Sequence, residues 1–167
     1  MKNIVLIGFM GSGKTAVGKQ LGEKLGLPFK DTDSLIEERL GQKINAIFAD
    51  KGEAFFRDME SQIIDELTAK DNQVLSCGGG AILRNENVNY LRQNGTLIYL
   101  KAPFAVLYNR IKSSSNRPLL TANEPEKTAR MLWEARQKVY ESVADLSVDT
   151  SKKSIEQTVK EIEKLVS

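Results

Sequence analysis

The chain has 167 residues, 41% hydrophobic and 28% charged, with 24 Lys and Arg against 22 Asp and Glu for a net charge of +2. That is about one domain with a single substantial core, and it excludes a disordered chain, a collagen and a disulfide scaffold. The balanced charge gives no reason to expect nucleic acid or a membrane as partner. There is no histidine and one cysteine, Cys77. A Ser-His-Asp triad, a His-ligated or Cys-cluster metal site and an internal disulfide are therefore excluded. Chemistry has to rest on Asp, Glu, Lys, Arg, hydroxyls and backbone groups. A lone thiol suits a reducing compartment. The longest apolar stretch, Ile4 to Met10, is broken by Gly8 and too short to span a bilayer. No secretory leader pattern is present, and the expected location is the cytoplasm.

Residues 3–7, Asn-Ile-Val-Leu-Ile, read as a strand buried on both faces, as in the middle of a parallel sheet. Val17, Leu21 and Leu25 recur every four residues and Gly26 stops the helix they imply. Pro28 to Lys30 is a short second strand ending at Asp31. Asp33 or Ser34 caps the next helix, and Ser34 with Glu37 reads as a capping box. A helical pattern runs from Ile44 to Ala69, interrupted near Gly52. Val74 to Cys77 is a third strand, cut off by Gly78-Gly79-Gly80, and Thr96 to Leu100 a fourth. Pro103 suits the first turn of the following helix. Residues 113–125 show no period, and an aperiodic stretch of that length in a compact domain is often a functional lid. A helix from about Glu126 to Val143, a fifth strand from Leu146 to Asp149, and an amphipathic helix marked by Ile155, Val159, Ile162 and Val166 complete the chain. Ser154 and Gln157 form the capping box of that last helix. Strands alternating with helices imply an α/β fold with a parallel sheet and right-handed crossovers, in one domain.

Gly8-Phe9-Met10-Gly11-Ser12-Gly13-Lys14-Thr15 fits G-x-x-x-x-G-K-[ST] in full, between an apolar strand and an amphipathic helix. Glycines let backbone N–H groups curl around phosphate oxygens, and the helix N-terminus adds positive potential. Lys14 then reaches the β- and γ-phosphates, and the Thr15 hydroxyl binds Mg²⁺. An incidental glycine-rich turn is the bland alternative. The motif speaks for nucleotide binding and not for a particular reaction.

Ligands of open α/β sheets bind beyond the carboxyl ends of the strands. Asp31 and Asp33 follow the second strand and Gly78, Gly79 and Gly80 the third, so both groups should face the phosphate loop. Asp33 reads equally as a plain N-cap, whereas a carboxylate placed as Asp31 is usually near a cation. The triple glycine is a sharp turn or a close approach of backbone to ligand. Arg57 either binds an anion or pairs with Glu60 on a solvated helix face. Arg136 shares a helical row with Leu132 and Tyr140, and a half-buried arginine meets either an anionic ligand or an internal carboxylate. Arg117 lies in the long loop and Arg110 near a helix C-terminus, where each has an ordinary structural reading as well. Cys77 and Trp133 read as packing. The residues alone describe a small P-loop phosphotransferase with an anionic acceptor.

Further motifs carry a resemblance. The Gly8–Thr15 loop, Asp31-Thr32-Asp33, Phe56-Arg57-x-x-Glu60, Gly78-Gly79-Gly80-Ala81, Arg117-Pro118-Leu119-Leu120 and Arg136-x-x-x-Tyr140 occur in the order and approximate spacing of the shikimate kinase family. Val148-Asp149-Thr150 also resembles the adenine-side loop of that family. The resemblance implies a three-layer P-loop kinase fold with a five-stranded parallel sheet, a substrate-binding segment over about residues 32–60 and a lid over about 112–124. It implies that Asp33 holds the acceptor hydroxyl as base or orienter and that Asp31 joins Thr15 at Mg²⁺. Arg57, Arg136, Gly78, Gly79 and Gly80 would bind the shikimate end, with Glu60 orienting Arg57. Gly11, Ser12, Gly13, Lys14, Thr15 and Ala16 would hold ATP, Arg117 would descend on the phosphates, and Arg110 and Lys153 would flank the adenine. At Lys152-Lys153 the chain departs from the arginine many relatives carry, and lysine lacks the planar guanidinium that stacks on a base.

The expected activity is ATP-dependent phosphorylation of the 3-hydroxyl of shikimate, by a monomer whose partners are small molecules. The alternatives are another small-metabolite kinase of the same fold and a non-catalytic nucleotide-sensing module.

Overall fold

The structure is a computed structural model and describes residues 1–112 and 123–167. Five strands, β1 (Asn3–Ile7), β2 (Phe29–Asp31), β3 (Val74–Ser76), β4 (Gly95–Lys101) and β5 (Leu146–Asp149), pair in the order β2-β3-β1-β4-β5. Every pairing is parallel, with Leu6 opposite Ser76 on one side and Ile98 on the other. All five β1 residues are buried. Successive side chains enter different cores, which is why the strand reads as an unbroken apolar run. Val5 and Ile7 join one cluster with Ile64, Leu91 and Tyr140. Ile4 and Leu6 join another with Val17, Leu21, Val159 and Ile162.

Helices α1 (Lys14–Leu25), α2 (Thr32–Leu40), α3 (Ile44–Thr68), α4 (Asn85–Gln93), α5 (Phe104–Ile111), α6 (Pro125–Val143) and α7 (Ile155–Val166) flank the sheet among the described residues. The clusters place α1 and α7 on one face and α3, α4 and α6 on the other, a three-layer α/β arrangement. A third cluster of Ile36, Ile47, Phe56 and Ile63 joins α2 to α3, so the expected substrate segment has apolar packing of its own.

Three local expectations change. The second strand is shifted by one residue, to Phe29–Asp31. Neither Asp33 nor Ser34 caps α2: Asp31 does, its Oδ1 accepting from the Ser34 N–H at 3.1 Å, and Asp33 lies in the first helical turn. The expected Ser34–Glu37 box therefore does not form, and Glu37 accepts instead from the Ile44 N–H at 3.0 Å. A 3-10 turn (Ala81–Leu83) and α4 occupy a stretch to which the periodicity assigned nothing. The Gly52 interruption is present, as a residue at φ 84° inside α3. So is the final capping box, with Ser154 Oγ accepting from Gln157 N–H at 3.1 Å and Gln157 returning the bond at 2.8 Å. The expected lid, about 112–124, falls almost wholly outside the described residues, and Arg117 lies outside them.

Candidate active site

β1 delivers its chain into Gly8 and α1 begins at Lys14, so the phosphate loop spans the strand-to-helix junction at the middle of the sheet. Gly8, Gly11 and Gly13 have φ of 151°, 80° and 88°, angles open to glycine at low cost. The loop is also held from outside. Arg110 donates to the Gly11 carbonyl at 3.1 Å and to the Thr150 carbonyl at 3.1 Å, which ties the loop to the segment after β5. Arg110 is thus a brace between two loops. Lys14 Nζ donates to the carbonyls of Gly8 at 2.7 Å and Phe9 at 3.1 Å. An ammonium arched over the loop in this way overhangs the concavity formed by the first N–H groups of α1.

Asp31 faces the phosphate loop, and Thr32 and Asp33 both lie against Gly78. Asp31 Oδ2 accepts from the Thr15 hydroxyl at 2.9 Å while Oδ1 caps α2. Thr32 Oγ1, fully buried, accepts from the Gly78 N–H at 3.0 Å and locks β2 to the glycine turn. Asp33 turns into the crevice, partly buried, with its Oδ1 2.5 Å from the point a Gly78 Cβ would occupy. Its pKa is raised to about 6, mainly by burial, with the Asp31 charge adding and Lys14 and Arg57 opposing. The hard oxygen pair of Thr15 and Asp31 beside a phosphate loop is the donor set a Mg²⁺ ion takes when phosphates and waters complete its shell.

Arg57 and Glu60 lie on α3. Arg57 donates to Glu60 Oε1 at 2.8 Å, and Glu53 stands 3.5 Å from its Nε. The pairing expected on a solvated face exists, but in the interior: Glu60 has no exposed surface and its Oε2 has no hydrogen-bond partner. Burial pushes the Glu60 carboxyl up to about 7 despite the opposing Arg57 charge. Arg136, on α6, is 9% exposed. Among the described residues no carboxylate pairs with it, and its Nε has no acceptor. The internal ion pair that was the alternative for Arg136 is not what holds it. Gly80 fits under the Arg57 guanidinium, where a Cβ would collide with it, and Gly79 fits against Arg136 Nη1. Among the described residues the N–H groups of Gly79 and Gly80 meet no acceptor. Two guanidiniums and two backbone donors thus converge beside Asp33. That is the chemistry of an anion site next to a hydroxyl site.

Ala16 is exposed in the first turn of α1. Ser12 is buried, its hydroxyl 3.4 Å from Lys14 Nζ. Lys153 forms an ion pair with Glu161 of α7. Cys77 is 1% exposed, and burial raises its thiol pKa, as expected of packing. Trp133 packs on Phe104 at 5.8 Å. Sequence reasoning missed two contacts. Thr32 gave no signal beyond its place between the aspartates. Tyr140, whose hydroxyl donates to the Gly79 carbonyl at 2.5 Å, was marked by its one-turn spacing from Arg136 and by the Arg136-x-x-x-Tyr140 motif, neither of which points to that carbonyl.

The close approach at the glycine turn gives a direct test. Gly78→Ala would set a methyl 2.5 Å from Asp33 Oδ1 and 3.1 Å from Glu60 Oε2. Asp33 must then move. Steady-state kinetics should show kcat/KM for the acceptor reduced by about tenfold or more, the scale of a misplacement near 1 Å. The thermal midpoint should change far less.

A family model described as shikimate kinase matches residues 10–167. The shikimate kinase of Thermodesulfovibrio yellowstonii is 44% identical, over 99% of this chain and 97% of its own length. That of Persephonella marina is 45% identical, over 97% of each. Among solved structures, shikimate kinase from Acinetobacter baumannii in complex with shikimate superposes with a TM-score of 0.95 at 38% identity. It covers 99% of this chain and 93% of its own. A gluconokinase from Sinorhizobium meliloti, at 19% identity and a TM-score of 0.64, shares the fold.

Proposed function

The chain belongs to the shikimate kinase family and transfers the γ-phosphoryl group of ATP to the 3-hydroxyl of shikimate, and from that premise we propose how its own residues divide the work. The observation that carries the assignment is the convergence beside Asp33 of Arg57, Arg136 and the N–H groups of Gly79 and Gly80, which meet no acceptor among the described residues. The two arginines grip the acceptor carboxylate and Gly78, Gly79 and Gly80 bring backbone against the ring. Glu60 keeps Arg57 turned into the site through its 2.8 Å contact. Asp33 accepts the proton of the 3-hydroxyl as its oxygen attacks the γ-phosphorus and the bond to the departing ADP oxygen breaks.

Gly11, Ser12, Gly13, Lys14, Thr15 and Ala16 hold the ATP phosphates, and Lys14 follows the charge that develops on the transferred group. Thr15 directly, and Asp31 beside it, would hold Mg²⁺, which when bound neutralises phosphate charge. Arg110 and the Lys153 loop border the adenine side. The ion pair with Glu161 leaves Lys153 as a wall of that side and not as a stacking partner. Arg117, which lies outside the described residues, is the further cation we assign to the charge on the transferred phosphoryl group. The same reading has the chain acting as a monomer in the cytoplasm, on small molecules and not on nucleic acid or a membrane. Among the described residues no helix is long and apolar enough to cross a membrane.

A coupled assay with ATP, Mg²⁺ and shikimate, run against gluconate and nucleoside monophosphates, tests the assignment. Turnover only with shikimate is expected. Turnover only with a competitor would overturn the substrate, and ATP binding with no turnover at all would favour a sensing module. Arg57→Ala and Arg136→Ala should each raise the shikimate KM by at least about tenfold while kcat falls less. The substrate carboxylate keeps its charge through the reaction, so its contacts bind ground and transition states alike. Arg57→Lys should not rescue, because an ammonium cannot supply the flat two-pronged donor.

A further inference from the structure

Among the described residues, Tyr140 is a large buried side chain that reaches the acceptor site with a polar atom and has no part in the roles above. It has no exposed surface, and its ring stacks on Tyr99 at a centroid distance of 5.2 Å. The stack fixes the ring, and the hydroxyl at its end donates to the Gly79 carbonyl at 2.5 Å. Arg136 lies one turn earlier on α6, so both side chains leave the same helical face. They converge on one glycine: a Cβ at Gly79 would stand 3.4 Å from Arg136 Nη1 and 3.4 Å from the Tyr140 hydroxyl.

The consequence follows from peptide geometry. No cis bond occurs among the described residues, so the Gly79–Gly80 peptide is trans. In a trans peptide the C=O and the next N–H point in opposite directions. A hydroxyl that draws the Gly79 carbonyl toward α6 therefore turns the Gly80 N–H away from α6, toward the α3 side where Arg57 lies over Gly80. That N–H has no acceptor among the described residues. A glycine-glycine peptide has little steric resistance to rotating as a unit. The hydroxyl is the restraint that selects one orientation.

We propose that Tyr140 is a positioning residue for shikimate: its hydroxyl, by holding the Gly79 carbonyl against α6, aims the Gly80 N–H away from α6, into the Arg57 side of the acceptor site. This rests on the shikimate reading of the site. Tyr140 does not touch the reacting atoms, and the ATP side is independent of it.

The test is steady-state kinetics on Tyr140→Phe with both substrates varied, beside Tyr99→Phe. The second variant removes a hydroxyl from the same ring stack without touching the glycine turn. Tyr140→Phe should raise the shikimate KM roughly 5- to 20-fold, the scale of one buried hydrogen bond whose acceptor is left unpaired. The ATP KM should stay within about twofold, and Tyr99→Phe should move neither. An unchanged shikimate KM in Tyr140→Phe would overturn the proposal, as would equal shifts in the two variants, which would assign the hydroxyl to packing alone. A wild-type enzyme inactive on shikimate would instead sink the substrate assignment, so the two failures are distinct. Should Tyr140→Phe not fold, the ¹⁵N-labelled wild type decides. The Gly80 amide resonance must shift on titration with shikimate, and an unmoved Gly80 amide would refute the aim given to that N–H.

Discussion

Asp33→Asn is expected to lose phosphoryl transfer by about 10²- to 10⁴-fold while keeping ATP binding, because the amide fills the same space but cannot take the hydroxyl proton. The pH behaviour makes the prediction sharper. Asp33 titrates at about 6, raised chiefly by burial and then by the Asp31 charge. It must be ionised to act as a base. The wild-type kcat/KM for shikimate should therefore fall below pH 6, approaching tenfold per pH unit, and be level above it until another group intervenes. The residual activity of Asp33→Asn should lack that acid limb. Stability should move the other way. A carboxyl whose folded pKa lies above its unfolded value of 3.8 stabilises the fold only while protonated. That contribution is present at low pH and is lost as pH rises through about 6. Asn keeps a neutral group at every pH, so above pH 6 the variant should be more stable than wild type, by roughly 1–3 kcal/mol. Denaturant midpoints at pH 4 and pH 8 check this. A variant that kept half its turnover, or whose acid limb was unchanged, would take Asp33 out of the proton transfer.

Lys14→Met should fold and lose about 10²- to 10³-fold in kcat, the scale for one preorganised group facing developing charge. The structure sharpens what else it should do. Lys14 Nζ spans the Gly8 and Phe9 carbonyls at 2.7 and 3.1 Å. Methionine fills a similar volume but donates nothing to these carbonyls, so a modest loss of thermal stability should accompany the catalytic loss. The shikimate KM should change little, since the acceptor arginines stand on α3 and α6. Near-normal turnover in Lys14→Met would remove the phosphate loop from the mechanism.

The unequal legibility of the site has a physical origin. The phosphate loop is local: its glycines, lysine and threonine occupy eight consecutive positions and their geometry is set by the strand before and the helix after. The all-buried β1, the recurrence Val17, Leu21, Leu25 and the Ser154–Gln157 cap are local in the same sense. The α2 cap was misassigned because Asp31, Asp33 and Ser34 are all good caps within one short stretch. Only the backbone exit from β2 decides that Asp31, extended at φ −116°, takes the position. α4 escaped notice because few of its residues are apolar. It is held in part by Asn87, buried, donating to the Ala81 carbonyl at 2.8 Å.

The sequence by itself determined the α/β alternation, the phosphate loop and, through motif order, the family to which the chain belongs. It named Asp33, Arg57, Arg136 and the triple glycine as site residues. Only the tertiary structure decided between the paired meanings each of them carried. Arg57 meets Glu60, but on a face closed to water. Arg136 has no carboxylate among the described residues and aims at Gly79. Asp31 both caps α2 and accepts from Thr15, 16 residues away. Tyr140 reaches a carbonyl 61 residues distant. Such pairings cannot be read from spacing, because a helix or strand period reports which side of its own element a residue occupies. What lies opposite depends on sheet order and on how α3 and α6 come together at the glycine turn after β3. Those are properties of the folded chain, and they turn a set of charged residues into a candidate site with two arginines at one end and the phosphate loop at the other.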